Sequence, residues 1–82
     1  MKMFWVEFAS SCSGMLFRLG CGVTADDVDD VRMILLSNPH TSPHVHDVET
    51  VIPIAFDDIE KNHVLPNAGN YAARGIWFPN GI

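Results

Sequence analysis

Only one stretch of this chain carries a helical period, and it must have something to lie on. In "GCGVTADDVDDVRMILLSNP", residues 20–39, Val28, Val31 and Leu35 recur at helical spacing with Ile34 beside them, which draws an apolar stripe down one side. Thr24 reads as the N-cap, and Asp26 and Asp27 fall in the first turn, where carboxylates favour the positive end of the helix dipole. Asn38-Pro39 stops the pattern, so the spacing predicts a helix over about residues 25–37. An uncovered stripe of this kind is not soluble, so the helix has to cover a sheet. With 82 residues the chain has room for one domain with a thin core.

The rest of the chain supplies that sheet. In "MFWVEF", residues 3–8, Phe4, Val6 and Phe8 alternate with Met3, Trp5 and Glu7, the period of a strand. "ASSCSG" is turn chemistry, and "MLFRL", residues 15–19, alternates again, so the two runs read as a hairpin. Residues 49–56, "ETVIPIAF", form a third strand. Pro53 has no amide donor, which makes this strand an edge or a bulged one. "HTSPHVHD" reads as a polar loop, "DDIEKN" as one helical turn capped by Asp57, and residues 75–78 as a short last strand. The expected fold is α/β in the α+β sense. Three to four antiparallel-rich strands in the order β-β-α-β carry one helix on one face and an irregular C-terminal tail. The crossover through the helix is expected to be right-handed if the second and third strands are parallel.

That tail, "NHVLPNAGNYAARGIWFPNGI", combines turn residues with two large aromatics. Trp77 and Phe78 can each bury about 150–250 Å², so they are expected to close the open rim of the core. The glycines and asparagines around them are expected to supply positive-φ turns.

Composition removes several classes. At 48% hydrophobic residues the chain is too apolar to be disordered, and no run approaches the roughly 18 apolar residues of a membrane span. The apolar run after Lys2 is broken at Glu7, and no leucine stands three residues before Cys12, so the start reads as a strand rather than a leader. Cys12 and Cys21 are too few for a disulfide framework. Reduced thiols in the cytoplasm are expected. Ten acids against five bases give a formal charge of −5. That argues against direct binding of nucleic acid, which needs clustered Lys and Arg. It favours presenting carboxylates to a basic groove on another protein.

Three groups of residues could carry chemistry. His40, His44, His46 and Asp47 crowd one loop, and His-x-His is a spacing that zinc sites use. No cysteine and no second ligand pair accompany them, so a solvated loop is the expected state and no cofactor is assigned. His63, Cys12, Cys21 and the acids at 57–60 offer possible catalytic groups, but no base is placed beside a nucleophile, and there is neither a phosphate loop nor a nucleophile elbow. His63 is expected to bond backbone in its turn, and Arg74 to bridge tail carbonyls or a nearby carboxylate. The acids form two sets: Asp26, Asp29 and Asp30 at the helix start, and Asp57, Asp58 and Glu60 after the third strand. Either set can be a solvated face or a contact surface for Arg and Lys.

"GVTA" (22–25), "NHVLPN" (62–67), Gly69 and "RGIWFP" (74–79) together resemble a set of small uncharacterised proteins of bacteria and their phages. Those proteins close on a similar His-Val-x-Pro-Asn … Arg-Gly-[Ile/Val]-Trp-Phe-Pro ending. The resemblance spans roughly the last three quarters of the chain. It implies a shared small fold and a mobile-element setting, and no reaction, cofactor or catalytic residue. In size and charge alone the chain is similar to anti-CRISPR and toxin-immunity proteins. The expected function is therefore non-enzymatic: an acidic inhibitor of a nucleic-acid-binding complex, such as a CRISPR effector subunit, acting through the two carboxylate sets without touching nucleic acid or membrane. The alternatives are a toxin-immunity protein, or a metal-binding module or small enzyme using the His40–His46 loop.

Overall fold

A computed structural model describes residues 1–9 and 19–82. Strand β1 (Lys2–Phe8) pairs antiparallel with β2 (Cys21–Ala25) on one side and β3 (Val48–Ile54) on the other, and β4 (Gly75–Phe78) pairs antiparallel with β2. The resulting four-stranded sheet has the order β3-β1-β2-β4. Among the described residues one α-helix, α1 (Val28–Ser37), packs against it, and short 3₁₀ turns complete an α+β fold.

The expected architecture holds, and among the described residues the strand that follows β1 is a segment not expected to be one. Residues 15–18 and Cys12 lie outside the described residues, and Leu19 sits in a bend with its side chain exposed. The strand is Cys21–Ala25, a segment that reads from sequence as the approach to a helix. All five of its residues are buried, because it lies between β1 and β4 with both faces covered. A strand buried on both faces loses the alternation that marks a half-exposed one. The helix accordingly starts later than residue 25. Its N-cap is Asp27, not Thr24: Asp27 has an extended backbone, and its Oδ1 accepts the Asp30 N–H at 2.8 Å. Asn38 is the C-cap, as the Asn-Pro stop implies. Strands β2 and β3 run in the same direction but are not neighbours, since β1 lies between them.

On the helix side of the sheet, Phe4, Val6, Cys21, Val23 and Ala25 meet Val31, Ile34, Leu35 and Val45. Val45 comes from the "HTSPHVHD" segment, which is a 3₁₀ helix, Ser42–Asp47, rather than an irregular loop. Thr41 fastens it to α1: its Oγ1 donates to the Leu35 carbonyl at 2.5 Å. Edge strand β3 carries Pro53, where the missing donor costs no ladder bond inside the sheet.

The opposite face has its own core. Ile59, Val64, Trp77 and Phe78 are buried there, with Met3, Trp5, Ile54, Leu65 and Ala68 packed around them. The register of β2 against β4 shifts between Gly22 and Val23, pairing Gly22 with Phe78 and Val23 with Ile76. This irregularity breaks the strand's alternation, so Trp77 and Phe78 both join the second core while Ile76 stays on the helix side. The tail aromatics therefore build a second layer, which is more than closing a rim. Gly22 makes room for it, since a Cβ there would overlap the Trp77 indole. The positive-φ positions of the tail are glycines only, Gly75 at the start of β4 and Gly81, and no described asparagine has positive φ.

Candidate functional site

The segment between β3 and β4 has little regular structure, and one side chain organises its centre. The Glu60 carboxylate accepts backbone N–H groups from Asn62 (3.0 Å), His63 (2.6 Å) and Val64 (3.0 Å). The Asn67 side-chain amide donates to the His63 carbonyl at 2.6 Å. The three bonds to the carboxylate are charge-assisted and strong, and together with the Asn67 bond they wind the chain so that Ile59 and Val64 point inward. The His63 and Val64 N–H bonds, then that of Asn62, hold the Glu60 carboxyl down to about 2. His63 contributes its N–H and carbonyl to this turn, while its ring Nδ1 lies 3.4 Å from Glu60 Oε1. The ring is thus directed at a carboxylate, in place of the backbone bond expected from sequence. One turn earlier, a 3₁₀ segment, Phe56–Asp58, is fastened by Asp58, whose Oδ2 accepts the Ala55 N–H at 2.8 Å. The expected helical turn over residues 57–62 with Asp57 as its cap is replaced by this shorter segment, whose N-cap is Ala55, with Asp58 as the third residue bonding back to the cap's N–H.

Between this segment and the sheet lies a cleft of about 370 Å³. Trp5, Ile52 and Ile54 form its floor, and Ile59 and Val64 one wall. Asp58, Glu60 and His63 stand at its polar rim, with Leu19 also lining it. Ile52 is 47% exposed on the edge strand. Trp5 is only partly exposed and stacks on Phe78, with ring centroids 5.7 Å apart. The floor is therefore fixed by the second core.

The helix-start acids are arranged differently. Arg74 donates from Nε to Asp30 Oδ2 at 3.0 Å and from Nη2 to Asp30 Oδ1 at 2.5 Å, a bidentate pair. The Arg74 bond, followed by the Asp26 N–H bond, lowers the Asp30 carboxyl to about 2. Asp30 is thus committed to tying the tail to the start of α1; Asp27, itself exposed, caps the helix, which leaves Asp26 and Asp29 as the exposed acids without such a role. Arg74 bridges a carboxylate, one of the two roles its sequence position allows. Thr24 also ties the tail to the sheet, its Oγ1 donating to the Tyr71 carbonyl at 2.6 Å.

His40 and His46 are exposed, and His46 Nε2 lies 3.5 Å from Asp47 Oδ2. His44 is half-buried beside the core residue Val45. Among the described residues no group of three or more His, Cys, Asp or Glu side chains is placed to hold a metal ion. Cys21 lies buried on the helix side of the sheet and His63 at the cleft on the other side, so these two do not form a nucleophile–base pair. Among the described residues no helix is long and apolar enough to cross a membrane.

Sequence reasoning located the acids but missed the cleft. The available signal was the second phase of β1, Met3 and Trp5, together with Ile52 and Ile54 on β3. Apolar residues on both phases of a strand require a second covering layer. No protein-family model, curated protein or solved structure matches the chain.

Proposed function

We propose that this chain is a small acidic binding protein that docks through Asp57, Asp58 and Glu60 onto a basic protein surface, and that it inhibits a partner whose basic groove otherwise takes nucleic acid. The observation that carries this reading is the contrast between the two acidic sets. Asp30 is paired with Arg74, whereas no Lys or Arg ion pair engages Asp57, Asp58 or Glu60 among the described residues. All three of the latter are exposed, and two of them border an apolar cleft. A carboxylate row beside an apolar surface suits a groove lined by Arg and Lys, because such pairing speeds encounter and fixes orientation. The mobile-element setting implied by the tail motif, and the size and charge shared with anti-CRISPR proteins, favour a bacterial nucleic-acid-binding complex met in the cytoplasm. A toxin met by an immunity protein would use the same surface.

The test begins with capture of partners from a bacterial lysate on the immobilised chain. The identified partner is then titrated with its labelled nucleic acid in the presence and absence of the chain. Competition is expected, with association slowing as salt shortens the Debye length toward about 8 Å. Asp57→Lys, which alters neither of the capping carboxylates, should weaken binding more than Asp26→Asn with Asp29→Asn. A partner that binds chain and nucleic acid together, with no response to salt or to Asp57→Lys, refutes the reading.

A further inference from the structure

The cleft over Trp5 is an organised site whose polar and apolar parts specify one kind of occupant. Its wall is set before any ligand arrives. Ile59 and Val64 are each 3% exposed, and the Glu60 carboxylate fixes the turn between them through its three backbone bonds. Preorganisation of this sort lowers the ordering cost of binding. A cavity of about 150 Å³ holds a benzene ring, so a cleft of about 370 Å³ has room for one large side chain and part of a neighbour. The rim is anionic. Residues 57–63 carry Asp57, Asp58 and Glu60 against Lys61, a formal balance of three minus one, or −2. Such a rim repels fatty acids and other anionic amphiphiles. It attracts a cation whose alkyl stem can lie on Ile52 and Trp5.

We propose that the cleft is the docking site for a short segment of a partner protein in which one aliphatic or aromatic side chain is flanked by Lys or Arg. The apolar side chain enters between Ile52, Trp5 and Val64, and the flanking cations meet Asp58 and Glu60. This rests on the reading of the chain as an acidic binding protein and gives that surface its anchor. Binding energy at interfaces concentrates in a buried side chain of this type, with charges around it setting orientation. Ile52 is the residue to test, because it is half-exposed on an edge strand and its substitution leaves both cores in place.

The probe is the blocked tripeptide acetyl-Lys-Leu-Lys-amide, titrated into ¹⁵N-labelled protein. Acetyl-Glu-Leu-Glu-amide and acetyl-Lys-Ser-Lys-amide are the comparisons. The expected result is saturable shifts at the Trp5 indole N–H and at the Ile52, Ile59 and Val64 amides with the first peptide. Affinities for the other two should be about tenfold or more weaker. Ile52→Ser should weaken the first peptide about fivefold or more, and Ile52→Lys should abolish its binding. Shifts scattered over the surface, equal binding of the acidic peptide, or binding unchanged in Ile52→Ser would each overturn the proposal. The two readings fail separately. If an identified partner responds to Asp57→Lys but not to Ile52→Lys, the acidic surface stands and the anchor site falls. If it responds to neither, both fall.

Discussion

The two faces of the sheet are closed by different means. On the helix side, one amphipathic element supplies Val31, Ile34 and Leu35 at regular spacing, and the strand residues below them alternate. On the other side there is no helix of comparable length among the described residues. The cover is a run of turns held by single polar groups, Glu60 and Asp58, and weighted by Trp77 and Phe78. The helical face gains from many similar contacts, so no one residue dominates it. The turn-built face concentrates its apolar area in a few aromatics and its geometry in a few carboxylates. Such a layer is sensitive to single changes, and it is also where the chain opens a cleft.

The largest effect expected from this contrast is at Trp77, which is 1% exposed and contacts Trp5, with ring centroids 6.1 Å apart, and Tyr71, at 6.5 Å. Trp77→Ala should cost about 3–5 kcal/mol, a large part of the stability of a small domain. Gly22→Ala attacks the same contact from the sheet side, since its Cβ would meet the indole, and should cost about 1–3 kcal/mol. Urea denaturation of both variants, and of Gly22→Ala combined with Trp77→Phe, checks the assignment. The smaller ring should restore part of the loss in the double variant. A Trp77→Ala protein as stable as the wild type would mean that the second layer is decoration on a helix-and-sheet core.

The next effect separates two readings of residues 24–27. Asp27→Ala removes the N-cap and should cost about 1 kcal/mol. Thr24→Val leaves the helix start intact but strips a donor from the Tyr71 carbonyl, at about 1–3 kcal/mol. Amide exchange tells them apart. Asp27→Ala should speed exchange in the first turn of α1, whereas Thr24→Val should speed it around Tyr71. Faster exchange in the first turn with Thr24→Val, and none with Asp27→Ala, would restore Thr24 as the cap.

What was legible in the sequence follows the same division. Strand β1, edge strand β3 with its Pro53, the Val31, Ile34 and Leu35 part of the α1 stripe and its stop at Asn38 all carry periodic signals and were readable within a few residues, whereas Val28, expected on the stripe, is the first residue of the helix and is 51% exposed. Strand β2 was not. "CGVTA" is buried on both sides and abuts two aspartates, so helix-start chemistry outweighed a strand signal that has no alternation. Thr24, Asp26 and Asp27 are all acceptable caps by residue type, and only the path of the backbone selects Asp27. The burial of Trp77 and Phe78 was legible from their size. The layer that they build was not, because the turn around Glu60 depends on the aim of one carboxylate at three amides, which has no period. The acidic sets were visible as composition. That Asp30 belongs to Arg74, 44 positions away, is a tertiary fact with no local trace.

The smallest expected effect is in the acid response, and it weighs the two faces against each other by their carboxylates. Glu60 serves the turn-built layer, and Asp30 joins the helix start to the tail. Both carboxyls are held down to about 2, from ordinary values of 4.5 and 3.8. A carboxyl lowered in the folded state stabilises that state above its unfolded value, and the contribution is lost as pH falls through the folded value. Stability should therefore be level above about pH 5 and decline between about pH 4.5 and pH 2. The Glu60 side chain is 45% exposed and that of Asp30 17%, so salt should shrink the decline, and more for Glu60 than for Asp30. Glu60→Gln should lower stability at neutral pH and flatten the acid decline. Asp30→Asn should do the same through a window beginning lower, near pH 3.8. Carboxyl carbon shifts followed by NMR from pH 6 to pH 2, alongside urea midpoints at each pH, resolve the two. If the turn-built face is the more fragile, acid should first release the amides of Asn62, His63 and Val64 while the α1 amides stay protected. Simultaneous loss of both sets would mean that the two layers unfold as one unit despite being built from different physics.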